Sequence, residues 1–179
     1  MDQFPHLESD RLCLTAFSMA DKQAILAQFS DPLVARYISK PFHALEEAEK
    51  WLHWMISDYE KGRSIRWAIR LKPTLTLIGS IGLHDLKSPN RNAELGYDLA
   101  SAYWGQSYAS EAIQTVIAYA WEVLKLNRIE ADVVSHNLAS IHLLEKFGFQ
   151  KEGCLRERFL SESGFLDVFY YGLLKTDCV

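Results

Sequence analysis

The stretch ELGYDLASAYWGQSYASEA, residues Glu94–Ala112, joins an alternating segment to a helical one through a turn of small and polar residues. Apolar and polar side chains alternate in Ala93–Leu99, which predicts a β-strand. Apolar residues then recur at helical spacing from about Ser107 to Leu124. Free N–H groups at the start of this helix, with Gly105 permitting a tight turn, form a candidate anion-binding site. An ordinary helix start capped by Ser107 is the alternative that the residues leave open.

The rest of the chain predicts a mixed sheet flanked by helices in one α/β or α+β domain. It contains no internal repeat, low-complexity tract or linker. Further strands are predicted at Arg11–Phe17, Ile65–Leu71, Leu77–Leu86, Arg128–Val134, Phe149–Leu160 and Phe165–Leu174, and further helices at Met19–Ser30, Leu45–Tyr59 and Leu138–Phe147. We therefore interpret residues 1–179 as one domain.

Composition excludes several classes of protein. The 179 residues carry a net charge of -4, which argues against a general nucleic-acid or anionic-membrane surface. Cys13, Cys154 and Cys178 have no paired spacing, so neither a disulfide framework nor a zinc site is expected. The N-terminus lacks the basic and apolar regions of a secretory leader, and no apolar run is long enough to span a membrane. We expect a cytoplasmic protein without a metal.

Two motifs resemble the GNAT superfamily of acetyl-CoA-dependent N-acetyltransferases. One is the quoted stretch and the other is NLASIHLLEKFGF, Asn137–Phe149. The quoted stretch is similar to the branch that contains ribosomal-protein N-terminal acetyltransferases, and the opening ESDRLCLTAF and the ending FLDVFYYGLLKTD also fit that branch. The resemblance implies a single domain with a central mixed, mostly antiparallel sheet, splayed between the fourth and fifth strands.

The resemblance also implies where acetyl-CoA binds. The family holds the pyrophosphate at the turn before the helix, and the pantetheine arm enters the gap between the splayed strands and bonds to the backbone near Asp98 and Leu99. A backbone N–H there is expected to polarise the thioester carbonyl. The implied cofactor-binding residues are Asp98, Leu99, Trp104, Gly105, Gln106, Ser107, Tyr108, Ala109, Asn137 and Ser140.

Ser107 departs from the family pattern, which usually has glycine at this position. We expect a negative φ at the start of a helix, where serine fits without strain. Its hydroxyl would then cap the helix or donate to a phosphate oxygen. Its bulk would at most crowd the pyrophosphate, so the expectation is weaker or unchanged binding of coenzyme A.

Acetyl transfer to an amine requires a neutral nucleophile, and a carboxylate can collect its proton. Glu94 is the candidate base, because it lies upstream of the turn and the branch often has Glu there. Gly96 would leave room beside it for substrate or water. A solvated Glu on a half-exposed strand fits the alternation equally well. Asp98 is a weaker alternative, for which a structural role in the turn is favoured.

The departing thiolate needs a proton or a hydrogen-bond donor. Many family members use a Tyr at the position of Leu144, so that acid is absent here. Ser140 lies one helical turn earlier on the same side and is the candidate catalytic donor, with helix packing as its alternative role. Asn137 is expected to contact coenzyme A, to cap the second helix, or to do both.

The leading acceptor is a protein N-terminal amine, such as that of a ribosomal protein. Residues 156–159 are expected to border the acceptor groove. A small amine (polyamine, aminoglycoside or amino-acid derivative) and a coenzyme A-binding domain with little catalysis are the alternatives. The sequence is compatible with a monomer and with a homodimer joined through a terminal strand.

Overall fold

A computed structural model describes residues 4–38, 40–86, 89–161 and 164–178 of the chain. Eight strands form one sheet in the order β1-β2-β3-β4-β5-β6-β8-β7, with β5 and β6 parallel and all other neighbours antiparallel. The strands are β1 (Leu7–Glu8), β2 (Leu12–Thr15), β3 (Ile65–Leu71), β4 (Leu77–His84), β5 (Asn92–Leu99), β6 (Arg128–Val134), β7 (Gln150–Ser161) and β8 (Gly164–Leu174).

Five α-helices accompany the sheet in the described ranges. They are α1 (Lys22–Phe29), α2 (Pro32–Ala35), α3 (Leu45–Glu60), α4 (Tyr108–Glu122) and α5 (Leu138–Lys146). Each predicted strand and helix is present with small changes at its ends, while β1 and α2 were not predicted. The Asp31 carboxylate accepts the Leu33 N–H at 2.9 Å, so Asp31-Pro32 ends one helix and also starts another.

The predicted splay is present. It lies between β5 and β6, which are the predicted fourth and fifth strands, because the unpredicted β1 shifts the numbering by one. Their ladder contains only the pairs Asn92↔Arg128, Ala93↔Ile129 and Glu94↔Glu130. Beyond these pairs, β5 continues against β4 to Leu99 and β6 continues against β8 to Val134. The two strands therefore separate just after Glu94, and a gap opens between them.

Two apolar clusters position these elements. The larger unites the strands with α4 and α5 and includes the buried Trp67, Ile113 and Ile141. The smaller joins α1 and α3 and includes Ile25 and Leu52. Burial of large apolar side chains supplies the main driving force for this packing. The sheet is thus held between two groups of helices, and the gap is one interruption in its ladder.

The outer strand of the terminal hairpin is β7, whereas β8 lies inside the sheet. Of the two terminal strands considered for subunit pairing, β7 has the edge that such pairing requires. A homodimer stays a prediction, as does the assignment of residues 1–179 to one domain. Lys87 and Ser88 of the predicted KSPNRN loop, and Glu162 and Ser163 of the terminal turn, lie outside the described residues. None of the described helices is long and apolar enough to cross a membrane.

Candidate active site

The turn before α4 has two residues in the left-handed region. Gly105 has φ of 73° and Ser107 has φ of 64°. The expected negative φ at Ser107 is wrong, because α4 begins at Tyr108 and Ser107 precedes the helix in the left-handed conformation. Its hydroxyl makes no capping hydrogen bond with the helix, contrary to one of its expected roles. A left-handed conformation costs a residue with a Cβ about 1–2 kcal/mol, which explains the family's glycine here.

The turn is open to a ligand. Trp104, Gly105, Gln106 and Ser107 are exposed, and a Cβ built on Gly105 would meet nothing within 4 Å. The Trp104 indole N–H donates to the Leu99 carbonyl at 2.8 Å and ties the turn to the end of β5. The first N–H groups of α4 have no acceptor within the helix and are positioned for an anion. These residues fit the pyrophosphate of acetyl-CoA.

Glu111 stands in the first turn of α4, where its charge opposes a bound anion. Arg11 offsets that charge: its Nε and backbone N–H donate to the Glu111 carboxylate at 2.7 and 2.8 Å. Burial alone would raise the pKa of Glu111, but hydrogen bonds from Ser9 and Arg11 and the Arg11 charge lower it overall. Arg11 also donates to the Gln106 carbonyl at 3.1 Å. This cation beside the turn was not predicted, because it lies about a hundred residues away in sequence.

The backbone of β5 alternates between β4 and the gap. The Ala100 N–H donates to Ile78 of the neighbouring β4 chain, so in an antiparallel ladder the polar groups of Asp98 also face β4. Those of Tyr97 and Leu99 face the gap, and the Leu99 carbonyl there accepts the Trp104 indole. Of the two positions expected to make a backbone contact, Leu99 therefore directs its N–H at the gap and Asp98 does not, whereas Tyr97 does.

Glu94 lies where β5 and β6 part. It stands opposite His84 in β4 and Glu130 in β6. Burial raises the pKa of its half-buried carboxyl, and the negative charges of Asp132, Asp85 and Glu130 raise it further. Each of these effects disfavours the charged carboxylate. Such a carboxylate takes up a proton more readily than an exposed one, which suits a base.

The Asp98 carboxylate is fully engaged in structure. It forms an ion pair with Arg66 and accepts hydrogen bonds from Ser80, at 2.7 Å, and from Gln28. Both side chains of the ion pair are only 13% exposed. Asp98 therefore joins β3, β4 and α1, and this network excludes it as a free base. A structural role in a turn was predicted for Asp98, but the structure places it within β5, where its structural role is this network, and its partners were not predicted.

Two glycines make room for Arg66. Gly82 and Gly96 lie beside Arg66 in register across β3, β4 and β5. A Cβ at Gly82 would lie 2.9 Å from the Arg66 side chain, and a Cβ at Gly96 would lie 3.3 Å from its Nη1. The prediction that Gly96 leaves room for substrate is corrected, because Arg66 and His84 fill that space. Burial and the nearby guanidinium lower the pKa of His84 to about 4, so this imidazole is neutral near pH 7.

The second motif begins α5. The Asn137 Oδ1 accepts the Ser140 N–H at 3.2 Å, which confirms the predicted cap. Leu144 is 1% exposed within the core. The Ser140 Oγ lies 2.6 Å from the hydroxyl of Tyr97, which β5 projects from beyond its last pair with β6. This contact was not predicted, because strand alternation places Tyr97 on the apolar face of β5. The signal in the sequence is its hydroxyl, since a tyrosine on a buried face needs a hydrogen-bond partner.

The sequence matches the family described as Acetyltransferase (GNAT) domain over residues 11–150. The chain belongs to the GNAT acetyltransferase family. An uncharacterized N-acetyltransferase of Bacillus subtilis (strain 168), YoaA, is 39% identical, covering 96% of this chain and 98% of the relative. The chain described here is an acetyl-CoA-dependent N-acetyltransferase, and acetyl-CoA supplies the acetyl group.

Solved structures share the GNAT fold. A spermidine N-acetyltransferase from Vibrio cholerae, in complex with CoA and spermine, has a TM-score of 0.84 at 23% identity, covering 95% of this chain and 99% of that one. A ribosomal-protein-S5-alanine acetyltransferase from Vibrio fischeri has a TM-score of 0.84 at 20% identity, covering 98% and 99%. The fold of this chain is therefore shared with acetyltransferases that are named for different acceptors.

Other candidate residues lie outside the gap of this GNAT enzyme. In the described part of the chain, the one group of possible metal ligands is His6, Glu8 and Cys13 at the β1–β2 hairpin. Lys72 already pairs with Glu8 there, at 3.0 Å. Residues 156–158 form an exposed irregularity of β7, where the Glu157 N–H donates to Asp167 at 2.9 Å. Their place beside the acceptor groove stays a prediction.

Proposed function

We propose that the enzyme transfers the acetyl group to a primary amine by direct attack within a ternary complex, and that the acceptor is a protein N-terminal amine such as that of a ribosomal protein. The observation that supports the reaction is the position of Glu94. This half-buried carboxyl with a raised pKa lies at the last residue pair before β5 and β6 part. A base at that point can take a proton from an amine that meets the thioester in the gap.

The binding of acetyl-CoA is assigned to two parts of the site. The turn and the start of α4, residues 104–109, bind the pyrophosphate through backbone N–H groups and the helix dipole. The backbone of Tyr97 and Leu99 and the Asn137 amide bind the pantetheine arm. A gap-facing N–H of β5 polarises the thioester carbonyl as an oxyanion donor. Arg11 supports the turn by neutralising Glu111.

The chemical step uses two side chains. Glu94 accepts the proton of the attacking amine, directly or through water, and keeps the nucleophile neutral. The amine nitrogen forms a bond to the thioester carbonyl carbon, the carbon–sulfur bond then breaks, and the sulfur retains the electron pair. Ser140 donates a hydrogen bond to the leaving sulfur, for which its place at the start of α5 beside the gap is suitable. No residue needs to form a covalent intermediate.

The protein N-terminus is favoured as acceptor by the resemblance of the stretch ELGYDLASAYWGQSYASEA, the opening and the ending of the chain to the ribosomal-protein branch. An α-amine has a pKa near 8, so part of it is already neutral at the working pH. A polyamine is the second candidate, favoured by one observation. Asp132 and Asp85 lie close enough to Glu94 to raise its pKa, and these negative charges would attract a polycation. The spermidine acetyltransferase among the structural neighbours supports this candidate.

Thiol release from acetyl-CoA, measured with a panel of amines, tests the proposal. The panel contains peptides beginning with Ala or Ser, the same peptides with a blocked α-amine, and spermidine. We expect turnover with the free peptides, no turnover with the blocked ones, and a mass increase of one acetyl group at the N-terminus. Faster turnover with spermidine than with every peptide would overturn the acceptor assignment. Binding of acetyl-CoA without thiol release from any amine would overturn the reaction.

A further inference from the structure

Two hydroxyl groups meet across the gap between the splayed strands. Tyr97 belongs to the part of β5 that has left β6, and Ser140 is the third residue of the helix that follows β6. Their oxygens are 2.6 Å apart, which is a short hydrogen bond between neutral groups. The chemistry described above uses the Ser140 hydroxyl and leaves the Tyr97 hydroxyl without a role.

The hydrogen bond has a preferred direction. Each hydroxyl has one proton, so one of the two donates and the other keeps its proton free for a third atom. A phenol is more acidic than an aliphatic alcohol and is the better donor. On this ground we infer that Tyr97 donates to the Ser140 Oγ. The hydroxyl proton of Ser140 then takes no part in the bond to Tyr97. It is available for a hydrogen bond to a group that enters the gap.

The surroundings keep this arrangement in place. The Asn137 Oδ1 holds the Ser140 backbone N–H at 3.2 Å, which fixes the residue at the start of α5. Burial raises the pKa of Tyr97 to about 12, so the phenol stays protonated throughout the range in which amines are acetylated. Among the polar contacts of the Tyr97 hydroxyl, the Ser140 carbonyl at 3.5 Å is much longer than the bond to Oγ.

We propose that Tyr97 is a positioning residue for acetyl transfer, whose hydroxyl holds that of Ser140 as a hydrogen-bond donor to the sulfur of coenzyme A. The inference rests on the proposed function, since it requires the sulfur to lie beside Ser140. No proton leaves Tyr97. The carbon–sulfur bond breaks, the sulfur keeps the electron pair, and Ser140 stabilises the resulting thiolate. The proton of the amine goes to Glu94 and then to solvent.

The test measures the pKa of the thiol of bound coenzyme A, followed by the ultraviolet absorbance of the thiolate. The full-length protein and its Tyr97→Phe variant are titrated with saturating coenzyme A. The variant loses only the hydroxyl and keeps the ring that packs against the core. We expect the bound thiol pKa to be higher in Tyr97→Phe than in the wild type. We also expect kcat to fall about tenfold, the effect of one weakened hydrogen bond, while KM for acetyl-CoA stays the same.

Controls separate positioning from structure. Desulfo-coenzyme A, which lacks the sulfur, should bind wild type and Tyr97→Phe equally. In a Ser140→Ala background, Tyr97→Phe should cause no further change in kcat or in the thiol pKa. A lower melting temperature with both quantities unchanged would overturn the inference and leave only a structural tie. If Tyr97→Phe fails to fold, Ser140→Ala alone decides, because an unchanged thiol pKa in that variant also overturns it. Failure of the wild-type protein to bind coenzyme A would instead contradict the proposed function.

Discussion

Gly105 and Ser107 both have left-handed backbone conformations, separated by the single residue Gln106. The first is a glycine and adopts this conformation without cost, whereas the second carries a Cβ and is strained. The family's usual glycine at the second position is thus explained by backbone geometry. In this chain two side chains hold the turn despite the serine. The Trp104 indole N–H donates to the Leu99 carbonyl, and the Arg11 guanidinium donates to the Gln106 carbonyl.

Ser107→Gly should stabilise the protein. Relief of the left-handed strain outweighs the added freedom of the unfolded chain, so we expect the free energy of unfolding to rise by about 0.5–1 kcal/mol. Denaturant unfolding measures this change, and titration calorimetry should show acetyl-CoA affinity equal to or above that of the wild type. Gly105→Ala is the matched control and should lower stability by about 1 kcal/mol, since its Cβ meets no atoms but its φ is unfavourable. A less stable Ser107→Gly would contradict the strain at Ser107.

Asp132→Asn should shift the pH dependence of acetyl transfer. Asp132 is the largest charge effect among those that raise the pKa of Glu94, so its neutralisation lowers that pKa. Because the base is active when ionised, the acidic limb of kcat/KM should move to lower pH. The measurement is a pH–rate profile with one amine, and Asp10→Asn, at the β1–β2 hairpin, is the control that should leave the limb in place. An unmoved limb in Asp132→Asn would argue that Glu94 does not set it.

Asp98→Asn should destabilise the fold strongly. It removes the charge partner of Arg66, whose side chain is largely buried, and breaking such a pair from one side costs about 3 kcal/mol. Urea unfolding measures the loss. A double-mutant cycle with Arg66→Met should show a large coupling, because the second change removes the uncompensated charge. Additive effects in that cycle would mean that the two residues are not energetically paired.

Several of these residues show where sequence reasoning ends. Strand alternation and helical spacing predicted nearly every element, since apolar patterning within a segment decides its local structure. Apolar patterning carries no information about the φ angle of a single residue. The sequence therefore predicts a negative φ at Ser107, whereas the structure has a positive one. The sequence indicates space for substrate beside Gly96, but the Arg66 side chain, which belongs to another strand, occupies that space. Tyr97 and Ser140 are 43 residues apart, and only the splay of the sheet brings their hydroxyls together.

His84 should make the protein sensitive to mild acid. Its pKa is about 4 in the folded protein and near 6.5 in the unfolded chain. The unfolded state therefore binds a proton first as pH falls, and stability is lost between pH 6.5 and 4, by about 3 kcal/mol. His84→Gln cannot titrate, so its stability should fall less than that of the wild type over this range. Parallel stability–pH curves for the two proteins would contradict a neutral, buried His84.

Catalysis in the proposed mechanism depends most on Glu94, the base at the point where the strands separate. The most direct measurement is kcat/KM of Glu94→Gln with the best acceptor of the panel, alongside calorimetric binding of acetyl-CoA. We predict a loss of about 100-fold or more in kcat/KM, the usual effect of a missing general base, with acetyl-CoA affinity unchanged. Wild-type kcat/KM in a Glu94→Gln protein that binds acetyl-CoA normally would contradict the assignment.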